Sequence, residues 1–134
     1  EKYTELVLIF PSDGNYPDEI VRGFRSYCIS FGKNFRIVEH PFDEIMVPQT
    51  AYVVIQETVL TELIKKIRQT NLVLGKDVGI LSFNDTTLKE VLAEGITVMT
   101  TDFKTMGRTA AALLLDGKKI KVKNPFTVIR RNSL

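Results

Sequence analysis

The chain has 134 residues, of which 44% are hydrophobic and 25% charged, with a formal net charge of +2 at pH 7. This is the composition of one ordinary globular domain, and the charge is too small to indicate nucleic-acid binding by itself. A single cysteine, Cys28, excludes an internal disulfide framework, and a single histidine, His40, excludes a multi-histidine metal site. No apolar run reaches the length of a membrane span. The sequence starts almost directly on a strand, without an initiator methionine or a signal peptide, so we expect it to be a piece of a longer protein.

In the first half of the chain, apolar runs alternate with segments of helical periodicity. Residues 6–10 predict a buried strand that ends at a polar turn, and a helix follows from Pro17 to Gly32. Residues 35–38 and 51–55 predict two further strands. The segment between them, 41–50, contains two prolines and is too short for an ordinary crossover helix.

The second half repeats this alternation. Thr58 is a candidate N-cap for a helix through Ile67, and Gly75 introduces a strand at 78–83. A capping-box pattern, Thr87-x-x-Glu90, predicts a short helix before the strand at 96–100. Asp102 is predicted to cap a helix over 102–117, and a last strand follows at 126–129.

This order of elements predicts an α/β fold, a three-layer αβα sandwich around a doubly wound, mostly parallel sheet. We predict the flavodoxin-like strand order 2-1-3-4-5, within a single lobe that covers residues 1–134.

Polar residues follow each predicted strand. Since the carboxyl ends of parallel strands meet at one edge of the sheet, these residues should converge there, where such folds bind small ligands. Helix caps and solvated loops explain the same residues equally well. The residues are Ser12, Asp13, Asn15, Glu39, His40, Gln56, Glu57, Asn84, Asp85, Thr86 and Asp102.

Enzyme signatures are absent from the sequence: it has no glycine-rich nucleotide loop, no P-loop and no nucleophile elbow. Asp85 paired with Asp13 or Glu57 could form an acid/base pair. Asp13 after the first strand could also suggest a receiver domain. A receiver needs its phospho-acceptor aspartate after the third strand, however, and Gln56 stands there. His40 and Cys28 are more typical of structural residues than of catalytic ones. The lysines between 118 and 123 are typical of a solvated connector. We therefore expect no catalysis, no cofactor and no bound metal.

Three segments resemble the LacI/GalR-type repressors and the periplasmic sugar-binding proteins related to them. The stretch from Lys76 to Asp85 is similar to their D-I-x-V-x-G-F-D-D segment. The stretch from Ile96 to Leu115 is similar to L-T-T-V-x-Q-x-x-x-x-L-G-x-x-A-x-x-L-L, and Ile129 to Ser133 resembles the closing V-x-R-x-S.

The resemblance implies the type I periplasmic binding protein-like fold and a role in sensing a sugar or another small polar metabolite. The chain would be the carboxyl-terminal lobe of the effector domain of a cytoplasmic bacterial transcription regulator. DNA would be bound only through a separate amino-terminal head, which in some relatives is a winged helix of the GntR kind. One lobe of a periplasmic sugar-transport protein is the first alternative, and a small α/β enzyme or a receiver domain is the second.

The family's effector contacts fall on positions that depart from its pattern. Asp18 stands in place of an arginine, Gln56-Glu57 in place of Asn-Asp, and Asn84 in place of an aspartate. Loss of the arginine and the aspartate removes charge-assisted contacts to sugar hydroxyls, so either the ligand differs or sensing is weak or lost. The resemblance and the strand-end pattern together give six candidate ligand-binding residues: Asp13, Asp18, Phe42, Gln56, Asn84 and Phe103.

Two expectations concern surfaces. In the family, the helix over 102–117 crosses to the other lobe, so here its apolar stripe should dock on its own sheet or on a partner chain. The family dimerises through this lobe, which implies a homodimer with Thr61, Lys65, Val91 and Leu92 at the interface.

Overall fold

The computed structural model describes residues 2–12, 14–42 and 44–134, which form one six-stranded sheet with flanking helices. The strands are β1 (Glu5–Ile9), β2 (Asn34–Val38), β3 (Thr50–Val54), β4 (Val78–Phe83), β5 (Thr97–Thr101) and β6 (Phe126–Ile129). The helices are α1 (Glu19–Ser30), α2 (Glu57–Arg68), α3 (Thr87–Val91) and α4 (Phe103–Leu115), with a 3-10 turn at Leu92–Glu94. Within the described ranges, no helix is both long and apolar enough to cross a membrane.

The strand order is β2-β1-β3-β4-β5-β6, which confirms the predicted doubly wound order and places the last strand beyond β5. The first five strands are parallel, and β6 is antiparallel to β5, with Phe126 opposite Thr101 and Ile129 opposite Val98. The antiparallel direction of β6 follows from the way α4 connects it to β5. The chain leaves β5 at its carboxyl end, passes through α4 and returns to that same end, so it must run back along β5.

The main core lies between the sheet and α2. Buried side chains of α2 pack on alternate residues of the central strands, as expected for strands covered by a helix. These side chains include Leu60 and Leu63 on the helix and Val7, Ile9, Tyr52, Val54, Ile80 and Val98 on the sheet. The helix begins at Glu57 with Gln56 at the N-cap, two residues before the predicted Thr58 cap.

The opposite face is covered by α1, whose Cys28 is buried and whose Phe24 meets Phe35 of β2 edge to face. The helix ends before Gly32, which has a φ of 59° and so the left-handed conformation that favours glycine. Cys28 is therefore part of the core, as its position in the apolar stripe predicted.

The connection from β2 to β3 contains no helix among its described residues, in agreement with its short length. Lys66 of α2 fixes this connection by donating from Nζ to the carbonyl oxygens of Pro41 (2.8 Å) and Phe42 (2.6 Å). Arg36 of β2 pairs with Glu44 at 2.8 Å, and Glu44 is buried. We call residues 39–49 the crossover loop.

The segment after β6 is bound to the amino-terminal half of β4. Ser133 donates from Oγ to the carbonyl of Ile80 (2.7 Å) and accepts from the backbone N–H of Thr97 (2.7 Å). The backbone N–H of Ile80 donates to the carbonyl of Ser133 (2.7 Å). Because β5 pairs with β4 only from Leu81 onward, these bonds satisfy the otherwise open edge of β4.

The last helix, α4, is poorly covered by the rest of its own chain. α4 is capped by Asp102 as expected, with the Thr105 N–H donating to its carboxylate at 2.9 Å. None of its residues is buried, and Leu114 and Leu115 are 83% and 89% exposed. Packing of α4 on the sheet of its own chain, one of the two expected arrangements, is therefore not what the fold shows. Docking on a partner chain stays a prediction.

Candidate ligand-binding site

The carboxyl edge of the sheet carries the loops that follow the five parallel strands. Gly14, after β1, lies beside Gln56 after β3: a Cβ on Gly14 would be 3.4 Å from the Gln56 side-chain nitrogen. Ser12 donates to the Glu39 carboxylate, after β2, at 3.2 Å. The predicted ligand residue Asp13 lies outside the described residues.

Asn84 occupies the position directly after β4 in a left-handed conformation, with a φ of 58°. Asparagine adopts this conformation more readily than other residues with a Cβ. Its backbone N–H donates to the carbonyl of Met99 at 2.8 Å, which joins it to β5. Its side-chain oxygen is buried and accepts no hydrogen bond from the described residues. The turn at Asn84 is therefore a defined feature of this edge.

Asp85 is fixed by a bidentate ion pair. Both guanidinium nitrogens Nη1 and Nη2 of Arg131 donate to its carboxylate at 2.8 Å, and the backbone N–H of Asp85 donates to Thr100 Oγ1 at 3.0 Å. The hydrogen bonds and charge of Arg131 lower the pKa of the Asp85 carboxyl. Asp85 is thus ionised and already paired, which makes it a poor proton carrier.

The end of β5 contributes a shallow cleft of about 330 Å³, lined by Phe83, Met99, Thr100, Thr101, Asn124 and Phe126. Asn124 donates from its side chain to the carbonyl of Asp102 at 3.1 Å and so closes one side. Phe103, the next residue, is half exposed at the start of α4. Apolar side chains together with a few amide and hydroxyl groups suit a small ligand that has both apolar and polar groups.

Two further predicted ligand residues lie in the segments that follow β2 and β1. Phe42 lies in the crossover loop, where its ring centroid is 6.4 Å from that of His40 and its carbonyl accepts from Lys66 in the last turn of α2. Asp18 is exposed at the N-terminus of α1. Gln56 and Asn84 follow β3 and β4 at this edge, and Phe103 begins α4 after β5 without lining the cleft.

The predicted interface residues lie mainly on the outer surface. Thr61 and Lys65 are exposed on α2, one helical turn apart, and Val91 is exposed at the end of α3. Leu92 packs partly against the core, because the chain turns inward there.

The chemistry available at this edge is hydrogen bonding and apolar contact. Among the described residues, no group of three or more His, Cys, Asp or Glu side chains is arranged to hold a metal ion. The geometry can orient the hydroxyl or amide groups of a bound molecule.

Comparison with known proteins identifies the family. The model of the periplasmic binding protein-like domain matches residues 1–134. This chain belongs to that family. The family resemblance and the fold inferred from sequence are thereby confirmed, whereas a search among curated proteins found no significant match.

Solved structures with the same domain fold include several transcription regulators. A LacI family transcriptional regulator from Bifidobacterium animalis subsp. lactis has a TM-score of 0.78 and 17% identity, over 98% of this chain and 55% of that one. The Lac repressor bound to ONPG has a TM-score of 0.75 and 17% identity, over 99% of this chain and 46% of the repressor chain. The regulator CelR in complex with cellobiose has a TM-score of 0.74 and 15% identity, over 98% of this chain and 47% of the CelR chain. This periplasmic binding protein-like domain thus spans about half the length of the structures it matches.

Sequence reasoning missed two residues that shape the edge of this periplasmic binding protein-like domain. Arg131 lies 46 positions from Asp85, and only the closing V-x-R-x-S pattern marked it. Lys89 lies in α3, and nothing in its local pattern distinguished it from a solvated helix lysine. Its side chain instead donates to the carbonyls of Phe83 and Asn84.

Proposed function

We propose that this chain is the ligand-sensing and dimerisation lobe of a bacterial, repressor-like transcription regulator, without catalysis. The ligand is a sugar or another small polar metabolite. DNA is bound by a separate head, as in the two-lobed regulators that the sequence resembles.

The observation that carries the proposal is the carboxyl edge, where Gln56, Asn84 and the β5 cleft present amide, hydroxyl and apolar groups. Loops at this edge bind ligands in doubly wound sheets in general. Two structures of similar fold, described as the Lac repressor bound to ONPG and CelR bound to cellobiose, support the choice of a sugar-like ligand. The neutral amides of Gln56 and Asn84 favour an uncharged polar ligand over an acidic or basic one.

Calorimetric titration of the protein with cellobiose, ONPG and a panel of neutral monosaccharides tests the ligand. Replacing Gln56 or Asn84 by Ala should weaken binding about 10-fold or more, because one hydrogen bond to a buried polar group contributes on the order of 1–2 kcal/mol. Lys76→Ala is the matched control, since Lys76 is exposed in the turn before β4. Absence of binding by every neutral sugar would contradict the sugar-sensing part.

The regulator part is tested separately by sequencing the reading frame upstream of Glu1. A winged helix or helix-turn-helix followed by another α/β half-domain is the expected result. A signal peptide and an α/β lobe without a DNA-binding head would instead identify a transport receptor and contradict the regulator proposal.

A further inference from the structure

α3 is oriented with its one basic residue inward, whereas its two apolar residues and Glu90 point outward. Lys89 is only 2% exposed, whereas Leu88 and Val91 are 54% and 74% exposed. Burial of an ammonium group is costly unless the group is satisfied, and a leucine or methionine of similar length would avoid that cost. The inward position of Lys89 therefore requires an explanation.

The contacts of Lys89 explain its inward position. Its Nζ donates to the carbonyl of Phe83 at 2.9 Å and to the carbonyl of Asn84 at 2.8 Å. Its backbone N–H donates to the carbonyl of Thr86 at 3.0 Å, and its backbone carbonyl accepts from the Ile96 N–H at 2.8 Å. One side chain thus joins the last residue of β4 to the turn that follows, while its backbone joins α3 to the segment entering β5.

Desolvation dominates the electrostatics of this lysine. Burial lowers the pKa of the Lys89 ammonium, and the negative charges of Glu57 and Asp85 oppose that shift. Two carbonyl acceptors and two nearby carboxylates are what a buried ammonium needs in order to stay charged.

The peptide groups held by Lys89 are those that set the Asn84 turn. The backbone of Asn84 is left-handed, a conformation that asparagine tolerates better than other residues with a Cβ but that still costs energy, so contacts to its two peptide groups help to hold it. The Asn84 N–H is fixed by the Met99 carbonyl and the Asn84 carbonyl by Lys89. Both peptide groups of the residue are therefore held, which fixes the direction in which its Cα–Cβ bond leaves the turn.

We propose that Lys89 is a positioning residue, whose buried ammonium holds the Asn84 turn in the conformation that presents this residue at the ligand edge. The ligand role of Asn84 rests on the proposed function, whereas the positioning of the turn does not. Lys89→Met keeps the apolar length of the side chain and removes the two charged hydrogen bonds, so it isolates the ammonium.

The test is amide hydrogen exchange measured by NMR without any ligand. In Lys89→Met, the amides of Asn84 and Asp85 should exchange at least about tenfold faster than in the wild type, while those of Leu63 and Val98 in the core stay unchanged. Lys76→Met, an exposed lysine before β4, should leave all four unchanged. Equal exchange at Asn84 and Asp85 in the two variants would overturn the proposal, and so would a uniform acceleration that includes the core.

A chemical rescue separates the charge from simple packing. In a Cys28→Ala background, Lys89→Cys is alkylated with 2-bromoethylamine in denaturant and refolded, which restores an ammonium at nearly the same length. Slow exchange at Asn84 and Asp85 should return, and failure to return in the refolded protein would overturn the proposal.

If these variants do not fold, a measurement on the wild-type protein still tests the proposal. Hydrogen-bond couplings from the Lys89 ¹⁵Nζ to the carbonyl ¹³C of Phe83 and Asn84 are expected, and their absence would overturn the proposal. These measurements need no ligand, so the lack of sugar binding would count against the proposed function alone.

Discussion

At the scale of single residues, the Asp85–Arg131 pair joins the chain's last segment to the turn after β4. The two side chains are 21% and 15% exposed, so solvent screens the pair less than an ordinary surface ion pair. Arg131 also donates to the carbonyl of Ile96 at 2.9 Å, which leaves it little freedom. The pair therefore stabilises both the fold and the candidate edge.

Removing the Asp85 charge should reduce the acid sensitivity of folding. The pKa of Asp85 is lowered in the folded state, so its stabilisation is present above the unfolded pKa of about 3.9 and is lost as pH falls through the folded value. Urea unfolding of Asp85→Asn should show a loss of about 1–3 kcal/mol at pH 7 and a smaller difference from wild type at pH 3.

The matched control for this change is Glu90→Gln, whose carboxylate is 3.6 Å from Arg131 and more than half exposed. It should cost less than about 1 kcal/mol at pH 7. Equal losses in the two variants, or a loss in Asp85→Asn that does not shrink at low pH, would contradict the argument.

Ser133 should contribute more to stability than a serine near a chain end usually does. Ser133→Ala leaves the Thr97 N–H and the Ile80 carbonyl each without the partner that the hydroxyl supplied, at a fully buried site. The expected loss in the free energy of unfolding is about 1–3 kcal/mol by urea denaturation. Ser12→Ala, which removes one exposed 3.2 Å hydrogen bond to Glu39, should leave the free energy of unfolding within about 0.5 kcal/mol of wild type. Equal losses in Ser133→Ala and Ser12→Ala would contradict the prediction.

At the scale of elements, the crossover loop is the chain's main departure from a regular doubly wound fold. Two prolines and the short length predicted that it would contain no helix, and this is confirmed for its described residues. What holds it could not be predicted, because Lys66 reaches back across 25 positions to the carbonyl of Pro41. An isolated lysine on a helix carries no local signal for such a contact.

Lys66→Met should release the crossover loop. Since the ammonium donates to the carbonyls of Pro41 and Phe42, its loss should make chymotryptic cleavage after Phe42 at least about fivefold faster under native conditions. Lys65→Met, an exposed neighbour on the same helix, should cleave at the wild-type rate. Unchanged cleavage in Lys66→Met would contradict this role of Lys66 and show that the other contacts of the loop hold it.

α3 shows how tertiary structure shifts a local prediction. The sequence pattern Thr87-x-x-Glu90 suggested a capping box, but the helix is capped one residue earlier, with Thr86 Oγ1 accepting from the Lys89 N–H at 3.4 Å. Lys89 then takes the third helical position and reaches the carbonyls before the cap. The turn at Asn84 fixes where the helix starts, and that turn depends on Met99 from the neighbouring strand.

At the scale of the whole molecule, the prediction of a homodimer concerns the outer surfaces of α2 and α3. Val91 is exposed there, beside the exposed Leu88, and the same short helix carries both. Sedimentation equilibrium at tens of micromolar should show a dimer, and Val91→Glu should shift it toward monomer by placing an unpaired charge in an apolar contact. Ile45→Glu, at an exposed position of the crossover loop, should leave the dimer intact. A wild-type monomer at these concentrations would count against the prediction.

The sequence by itself predicted the class of fold and, as one choice among the doubly wound orders, the order of the strands. It also placed polar residues after each strand. These depend on patterns that are local, namely apolar runs, helical periodicity and residues such as Asp102 or Gly32 that end or begin an element. Gln56 and Asn84 could be assigned to the edge because parallel strands bring all their carboxyl ends to one side.

Only the tertiary structure decided which of those edge residues act together and what fixes them. Arg131 reaches Asp85 across 46 positions, and Ser133 reaches Ile80 across 53. The inward orientation of Lys89 is likewise set by the carbonyls of β4 and not by its own helix. Contacts between residues far apart in the chain leave no periodic trace in the sequence, which is why the scaffold could be predicted and the bonds that position its candidate site could not.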